Sequence, residues 1–218
     1  MLKKITYLIV LLLLLTSCIE IIDDVTLNSD GSGKFAYTIN LSQSKIDVNA
    51  YLSLDYYDGK KVPSKDELKQ KIYDFRDMMN KQPGISECKT TINETDFIIK
   101  LNCNFTSIEK LQDAIFTVVE TMSQKSVTKE YWVTKSNDTI TKKIPDFISG
   151  YKSLTDSEKT KLNSGVYISI LRFDKLIKSS NNQVSVISKN QSAVLTRINA
   201  LELSQNPSLS NNVVILNK

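Results

Sequence analysis

The stretch EIIDDVTL-NSDGSG-KFAYTINL, residues 20–41, decides the fold. Ile21, Val25 and Leu27 alternate with polar residues before the turn Asn28-Ser29-Asp30-Gly31-Ser32-Gly33, and Phe35, Tyr37, Ile39 and Leu41 do so after it. A period of two on both sides of a Gly-rich turn is a β-hairpin with one buried face. That face needs a cover, and the chain that follows supplies helices. Residues 44–59 are mixed and predict one irregular helix carrying Ile46, Tyr51 and Leu54. Pro63-Ser64-Lys65-Asp66-Glu67 then reads as a capping box, with Leu68, Ile72, Phe75 and Met79 at helical spacing until Pro83-Gly84 stops the run. A second hairpin spans residues 85–105, with Phe97, Ile99, Leu101, Cys103 and Phe105 on one face. Thr106-Ser107-Ile108-Glu109 opens another helix, whose inner stripe is Ile108, Leu111, Ile115, Val118 and Met122. Residues 20–125 thus read ββ(α)αββα. The fold class is α+β, an antiparallel sheet built from hairpins with helices on one face.

The C-terminal part is richer in strands. It reads as a hairpin over residues 129–144, a short helix after Thr155-Asp156-Ser157-Glu158, then strands at 166–173, 184–187 and 193–198. Residues 213–216 are expected to close the sheet. The last 45 residues are rich in Asn and Ser, yet apolar alternation persists, so short strands and polar turns are expected there and not a disordered tail. The sequence contains no repeat and no low-complexity linker, and predicts one domain over residues 18–218 with a potential sub-division near 125–130.

Upstream of the hairpin, Lys3 and Lys4 precede an apolar run over residues 5–15, closed by Leu15-Thr16-Ser17-Cys18. This is the pattern of a bacterial export signal ending in a lipobox. The basic end stays cytoplasmic, the run inserts, and the small Ser17 leaves the Cys18 thiol open to a diacylglyceryl transferase and then to cleavage between Ser17 and Cys18. Only a thiol can take the thioether lipid. A spanning helix needs about 18–20 apolar residues, and this run is well short of that. The expectation is a signal peptide over residues 1–17 and two or three acyl chains, palmitate among them, on Cys18; at about 0.8 kcal/mol per buried CH₂ they hold durably. Cleavage removes two of 28 basic residues and none of 24 acidic ones, leaving 201 residues and a net charge of +2. Electrostatic docking on anionic lipid is therefore not expected. Ile19 follows the cysteine where enterobacterial lipoproteins kept at the inner membrane usually carry Asp, which favours the outer membrane. Glu20, Asp23 and Asp24 resemble, in scattered form, the acidic signals that some gut-type diderm bacteria use for surface display, so both the periplasmic face and the surface are open. Seven peptide steps from Cys18 to Val25 reach at most about 25 Å, so the domain begins close to the lipid.

Composition narrows the chemistry. Of 218 residues 41% are hydrophobic and 24% charged, with 6 Gly and 4 Pro, as in a folded globular protein. A net charge of +4 is too balanced for a nucleic-acid backbone as partner. The absence of His excludes Ser-His-Asp triads, HExxH sites and His-bearing zinc sites. GxSxG, GxxxxGK[ST] and GxGxxG are also absent. No catalytic residue, metal ligand or cofactor is indicated.

Four local features remain. Asn28-Ser29-Asp30-Gly31 resembles the middle of an EF-hand loop, but that register puts Thr26 first and Tyr37 twelfth, where Asp and a bidentate Glu are required; a hairpin turn needing positive φ explains the glycines without a metal. Asp55-Tyr56-Tyr57-Asp58-Gly59 has the composition of some glycan-binding loops and, more commonly, of an exposed turn. Cys88 and Cys103 fall directly opposite each other if the loop of the second hairpin is Thr95-Asp96, whereas a loop at Glu94-Thr95 faces Cys88 with Leu101; an oxidising envelope favours a disulfide, with buried thiols as the alternative. Asp138-Thr139-Ile140 matches the three-residue O-glycosylation pattern of some gut-type diderm bacteria, with Thr139 as acceptor near a hairpin tip.

A lipidated cysteine followed closely by a strand, then Asp30-Gly31-Ser32-Gly33, a second strand and a β-rich end resembles the LppM-type envelope lipoproteins, over residues 19–41 and in the strand order of 166–216. The resemblance implies an α+β domain at the membrane and a role in handling envelope lipids or glycolipids. The C-terminal transmembrane helix and basic tail often found there have no counterpart in this sequence, and no functional residue carries over. Taken with the motif absences, the reading is a membrane-anchored envelope protein acting as a non-enzymatic binding or structural module near the bilayer, with envelope lipid, glycolipid or another envelope protein as partner. The alternatives are a lipid carrier, which needs an apolar cavity between the sheet and the helices of 64–82 and 106–124, and a carboxylate-dependent glycan hydrolase, which needs an acidic pair in a pocket.

Overall fold

β1 (Glu20–Leu27) and β2 (Gly33–Asn40) pair antiparallel with Val25 opposite Phe35 and Leu27 opposite Gly33, as the alternation predicts. The structure is a computed structural model and describes residues 19–57, 59–144 and 156–217. Around this hairpin a seven-stranded sheet assembles in the order β11 (Ser185–Ile187), β12 (Ala193–Asn199), β9 (Val166–Phe173), β1, β2, β6 (Ile98–Phe105), β5 (Ile85–Asn93). β1 is its central strand. Every pairing is antiparallel except β1 with β9, which run parallel with Val25 opposite Leu171, so the expected antiparallel sheet carries one parallel ladder.

Two layers cover one face of this sheet. The first is helical. α1 (Lys45–Leu52) and the two-stranded ribbon β3 (Tyr56–Tyr57) and β4 (Lys60–Lys61) follow β2. α2 (Lys65–Asn80) starts at the expected capping box: Ser64 Oγ accepts from Glu67 N and Glu67 Oε2 accepts from Ser64 N. α3 (Ile108–Ser123) is capped by Ser107 and stopped at Gln124, whose φ is 54°. Its buried stripe is Ile108, Leu111, Gln112, Ala114, Phe116 and Val118, while Met122, expected inside, is exposed. The second layer is a four-stranded sheet in the order β10 (Ile177–Ser180), β13 (Asn212–Leu216), β8 (Thr139–Lys142), β7 (Val133–Ser136). β13, expected to close the main sheet, lies instead inside this second one. Its alternation is the same in either place, and only the partner strand differs. α4 (Asp156–Asn163) and α5 (Ala200–Gln205) complete the chain.

One core runs through all of it. Val25, Leu27, Phe35, Phe105 and Leu171 of the main sheet pack with Met79 of α2, with Leu111 and Val118 of α3, and with Val133, Ile140, Val214 and Leu216 of the small sheet. Met79 and Phe75 of α2 and the stripe of α3 up to Val118 therefore pack into the core, while Leu68 and Ile72 lie outside the core cluster. A smaller cluster of Tyr167, Ile198 and Leu203, joined by Ile21 and Leu209, packs beside β1 where the chain enters. Among the described residues no helix is long and apolar enough to cross a membrane.

Candidate functional site

The entry of the chain is the first candidate. Registers define one row across the end of the main sheet: Asn93, Ile98, Asn40, Glu20, Val166, Asn199. The ladder reaches one residue further, because Val166 N donates to the Ile19 carbonyl at 2.7 Å. Ile19 is thus pinned to the centre of the sheet. Ser17 and Cys18 lie outside the described residues, but Cys18 is one peptide step, about 3.8 Å, from Ile19. The reach of up to about 25 Å that the sequence allowed between Cys18 and the first strand shrinks to that one step. The acidic residues after it are engaged in the fold: Glu20 Oε2 accepts from Asn40 Nδ2 at 3.1 Å, Asp24 is gripped by Arg172 at 2.9–3.1 Å, and Asp23 is buried.

Asp23 belongs to a polar layer between the two sheets that the sequence reading missed. On the covered face, Tyr37, Asp23, Ser169, Thr196 and Ser185 stand side by side on five adjacent strands. Facing them from the small sheet are Lys142 and Asn212, themselves cross-strand neighbours. Lys142 Nζ donates to Asp23 Oδ2 at 2.7 Å with the lysine only 1% exposed, and Tyr167 Oη donates to the same oxygen at 3.0 Å. Asn212 Nδ2 donates to Ser185 Oγ at 3.2 Å, and Ser185 and Thr196 share a bond of 2.6 Å. Burial, then the Asp23 charge, pushes the Tyr167 phenol well above its ordinary range, and the same two causes raise Tyr37. A buried pair of this kind costs desolvation and fixes which surfaces meet. The layer's chemistry is registry between sheets. Its signal in the sequence was an Asp in phase with Ile21, Val25 and Leu27.

The remaining candidates resolve into structure. Cys88 and Cys103 are joined by a disulfide. The flanking pairs Lys89–Asn102 and Asn93–Ile98 have the register that brings the cysteines opposite, although the loop is the four residues Glu94 to Phe97 and not two. Phe97, assigned to the inner face, is in that loop with φ 52°, and the Lys65 ammonium sits 5.1 Å from its ring centre. Asp30 Oδ1 accepts from Ser32 N and Oγ, which holds its carboxyl below the usual range, and the Asn28 and Ser29 carbonyls accept from Lys135 Nζ. The turn's oxygens thus face an ammonium, which fits the hairpin reading. Thr139 is half-buried on β8, paired with Ser136 on one side and Ile215 on the other. Gln112, also missed, is fully buried: its Oε1 accepts from the Trp132 and Val133 amides and its Nε2 donates to the Val133 carbonyl, clamping the start of β7.

Among the described residues, carboxylates line two clefts. One, of about 370 Å³ on the outward face of the main sheet, holds Asp24 and Glu87; the other, of about 430 Å³ beside the first hairpin turn, holds Asp138 and Asp174. Each acid has a partner: Asp24 has Arg172, Glu87 accepts from Asn104 Nδ2 at 2.9 Å, Asp138 has Lys175 at 2.8 Å, and Asp174 accepts from Ser29 N and Oγ at 2.8 Å. The Ser29 amide holds Asp174 below the usual carboxylate range, the opposite of what a general acid needs.

No family model and no curated protein matches the chain. Among solved structures, the NMR structure of the folded domain of the LppM protein of Mycobacterium tuberculosis is similar, with a TM-score of 0.43 at 6% identity over 91% of this chain and 89% of that one.

Proposed function

We propose that this protein is a lipid-anchored envelope protein, acylated at Cys18, whose α+β domain works as a non-enzymatic binding or structural module held against the bilayer. The observation that carries the reading is the attachment of Ile19 to the central strand of the main sheet. A lipobox cysteine one residue from a strand in the middle of a seven-stranded sheet transmits the position of the membrane to the whole domain, with no slack for a distant substrate. Ile19 after the cysteine favours the outer membrane. The partner on this reading is envelope lipid, glycolipid or a neighbouring envelope protein, met at the membrane. A solid core under α2 and α3 speaks against a lipid carried inside. Metabolic labelling with an alkyne fatty acid should mark the wild-type chain and leave Cys18→Ser unmarked; equal labelling of the two would overturn acylation at Cys18.

A further inference from the structure

Among the described residues twelve large hydrophobic side chains are conspicuously exposed, and five of them fall between residues 46 and 57: Ile46 at 75%, Tyr51 at 41%, Leu54 at 45%, Tyr56 at 67% and Tyr57 at 45%. α1 buries none of its residues, and Tyr51 meets Tyr57 edge to face at 5.5 Å, so the patch is continuous between the helix and the β3–β4 ribbon. A contiguous exposed patch of this kind marks a contact surface.

Its place in the fold names what it contacts. The segment hangs between the end of β2 at Asn40 and the cap of α2 at Ser64. Asn40 is in the same end row as Glu20, the second residue after Cys18. α2 begins at that end too, since it leads into Ile85, which pairs with Phe105 at the opposite end of the sheet. Lys45 reaches Asp96 at 3.8 Å and Leu41 N donates to the Phe97 carbonyl, fastening the segment to the loop beyond Ile98 in that row, while Lys65 at the start of α2 donates to Asn49 at 3.1 Å. Cys18, which precedes Ile19 in the chain, therefore joins the domain at the end of the sheet that carries this segment.

We infer that α1 and the β3–β4 ribbon form a second membrane contact, which seats Tyr51, Leu54, Tyr56 and Tyr57 in the interfacial layer of the bilayer that carries the anchor. This deepens the anchoring reading and rests on it. Tyrosines are suited to that layer because the ring enters the apolar side while the hydroxyl stays hydrated. Residues 45–61 hold three lysines and three aspartates, so the contact is apolar and not an attraction to anionic headgroups. Pinned at Cys18 and resting on this patch, the domain has a fixed tilt and presents its other end, with the 28–33 turn, away from the membrane.

The test uses the full chain reconstituted in vesicles of phosphatidylethanolamine with a minority of phosphatidylglycerol, containing lipid brominated near the headgroup end of its acyl chain. Two tryptophan reporters are compared against the background of Trp132: Tyr56→Trp in the patch, and Leu176→Trp, 52% exposed beyond the end of β9 that is distant from the anchor. Added emission at position 56 should fall at least about twofold at that depth, undiminished in high salt, while that at 176 is unchanged. Position 56 quenched no more than 176, quenching lost in high salt, or position 56 already shielded without lipid by self-association or by glycan overturns the patch contact. Flotation of the same vesicles separates the two readings: a chain that floats with position 56 unquenched overturns only the patch, and a chain that does not float overturns the anchor as well.

Discussion

Lys142 and Asp23, 119 residues apart, form a 2.7 Å ion pair in the interior, joining β8 of the small sheet to β1 at the centre of the large one. Their side chains are 2% and 10% exposed, and Tyr167 donates to the same carboxylate oxygen. The pair is the charged link in a polar layer that also joins the two sheets through Asn212 and Ser185. Its geometry explains why the small sheet docks at one register, since a shift would strand a lysine and a carboxylate away from water.

Removing one partner leaves the other buried and uncompensated. Lys142→Met should therefore destabilise the fold by about 3–5 kcal/mol, whereas the apolar triple variant Asp23→Leu, Lys142→Met, Tyr167→Phe should recover most of that loss. Urea unfolding followed by circular dichroism measures both. A single variant within about 1 kcal/mol of wild type would show that the carboxylate finds water, and would sink the argument.

The phenol beside this pair gives a pH dependence with a defined sign. Burial first, and the Asp23 charge second, raise Tyr167 well above its ordinary value. The folded chain therefore holds that proton more tightly than the unfolded one. The stabilisation is complete below about pH 10, where the unfolded phenol begins to ionise, and is lost as pH climbs from there toward the folded value. Tyr167→Phe should flatten the fall in stability above about pH 10 and remove the latest phase of the ultraviolet phenolate titration. An unchanged alkaline profile in Tyr167→Phe would assign the effect elsewhere, with Tyr37 the next group to test.

What the sequence made legible follows from range. The first hairpin, the capping box at Ser64 and the strand over Val166–Phe173 depend on neighbours within a few residues, and each is where the periodicity puts it. The parallel ladder of β1 with β9 joins positions 146 apart, Glu20 with Val166, and nothing local marks it. β13 carries an alternation that suits either sheet. Asp23 shows the limit most clearly: a carboxylate in phase with Ile21, Val25 and Leu27 looks like an interruption until Lys142 stands opposite. The lipobox at Cys18 is a reading from the motif alone. The bond from Val166 that fixes Ile19 beside the sheet was not legible, because residues between Cys18 and Val25 could as well have been a leash.

The disulfide sets a third expectation. Cys88 and Cys103 are 15 residues apart and both are buried, so no thiol partner from another chain competes for them. Closing a loop of that size restricts the unfolded chain by about 3 kcal/mol, and Cys88→Ala with Cys103→Ala should lose about that much. Protein isolated from its own host without reductant should show no alkylation at either position by mass spectrometry. Two alkylated cysteines in that preparation would reject the bond.

The tightest backbone approach in the first hairpin gives the last prediction. Gly33 opens β2 opposite Leu27 on one side and Phe105 on the other. A Cβ built there would meet the Thr26 carbonyl oxygen at 1.9 Å and Phe105 Cζ at 2.5 Å. The first neighbour is backbone of the central strand and the second is a ring only 3% exposed, so neither can step aside cheaply. Gly33→Ala should therefore destabilise by about 1–3 kcal/mol, as overpacking of a filled core does. Gly31 sharpens the comparison: its φ is 88° with nothing within 4 Å of a Cβ, so Gly31→Ala meets backbone strain without a clash. Gly31→Asn, a residue that tolerates the left-handed region, should restore much of the loss at position 31, while Gly33→Asn should be worse than Gly33→Ala. Thermal unfolding of the four variants reads the order directly. A rescue by Asn at position 33 would mean that conformation and not contact sets the requirement there.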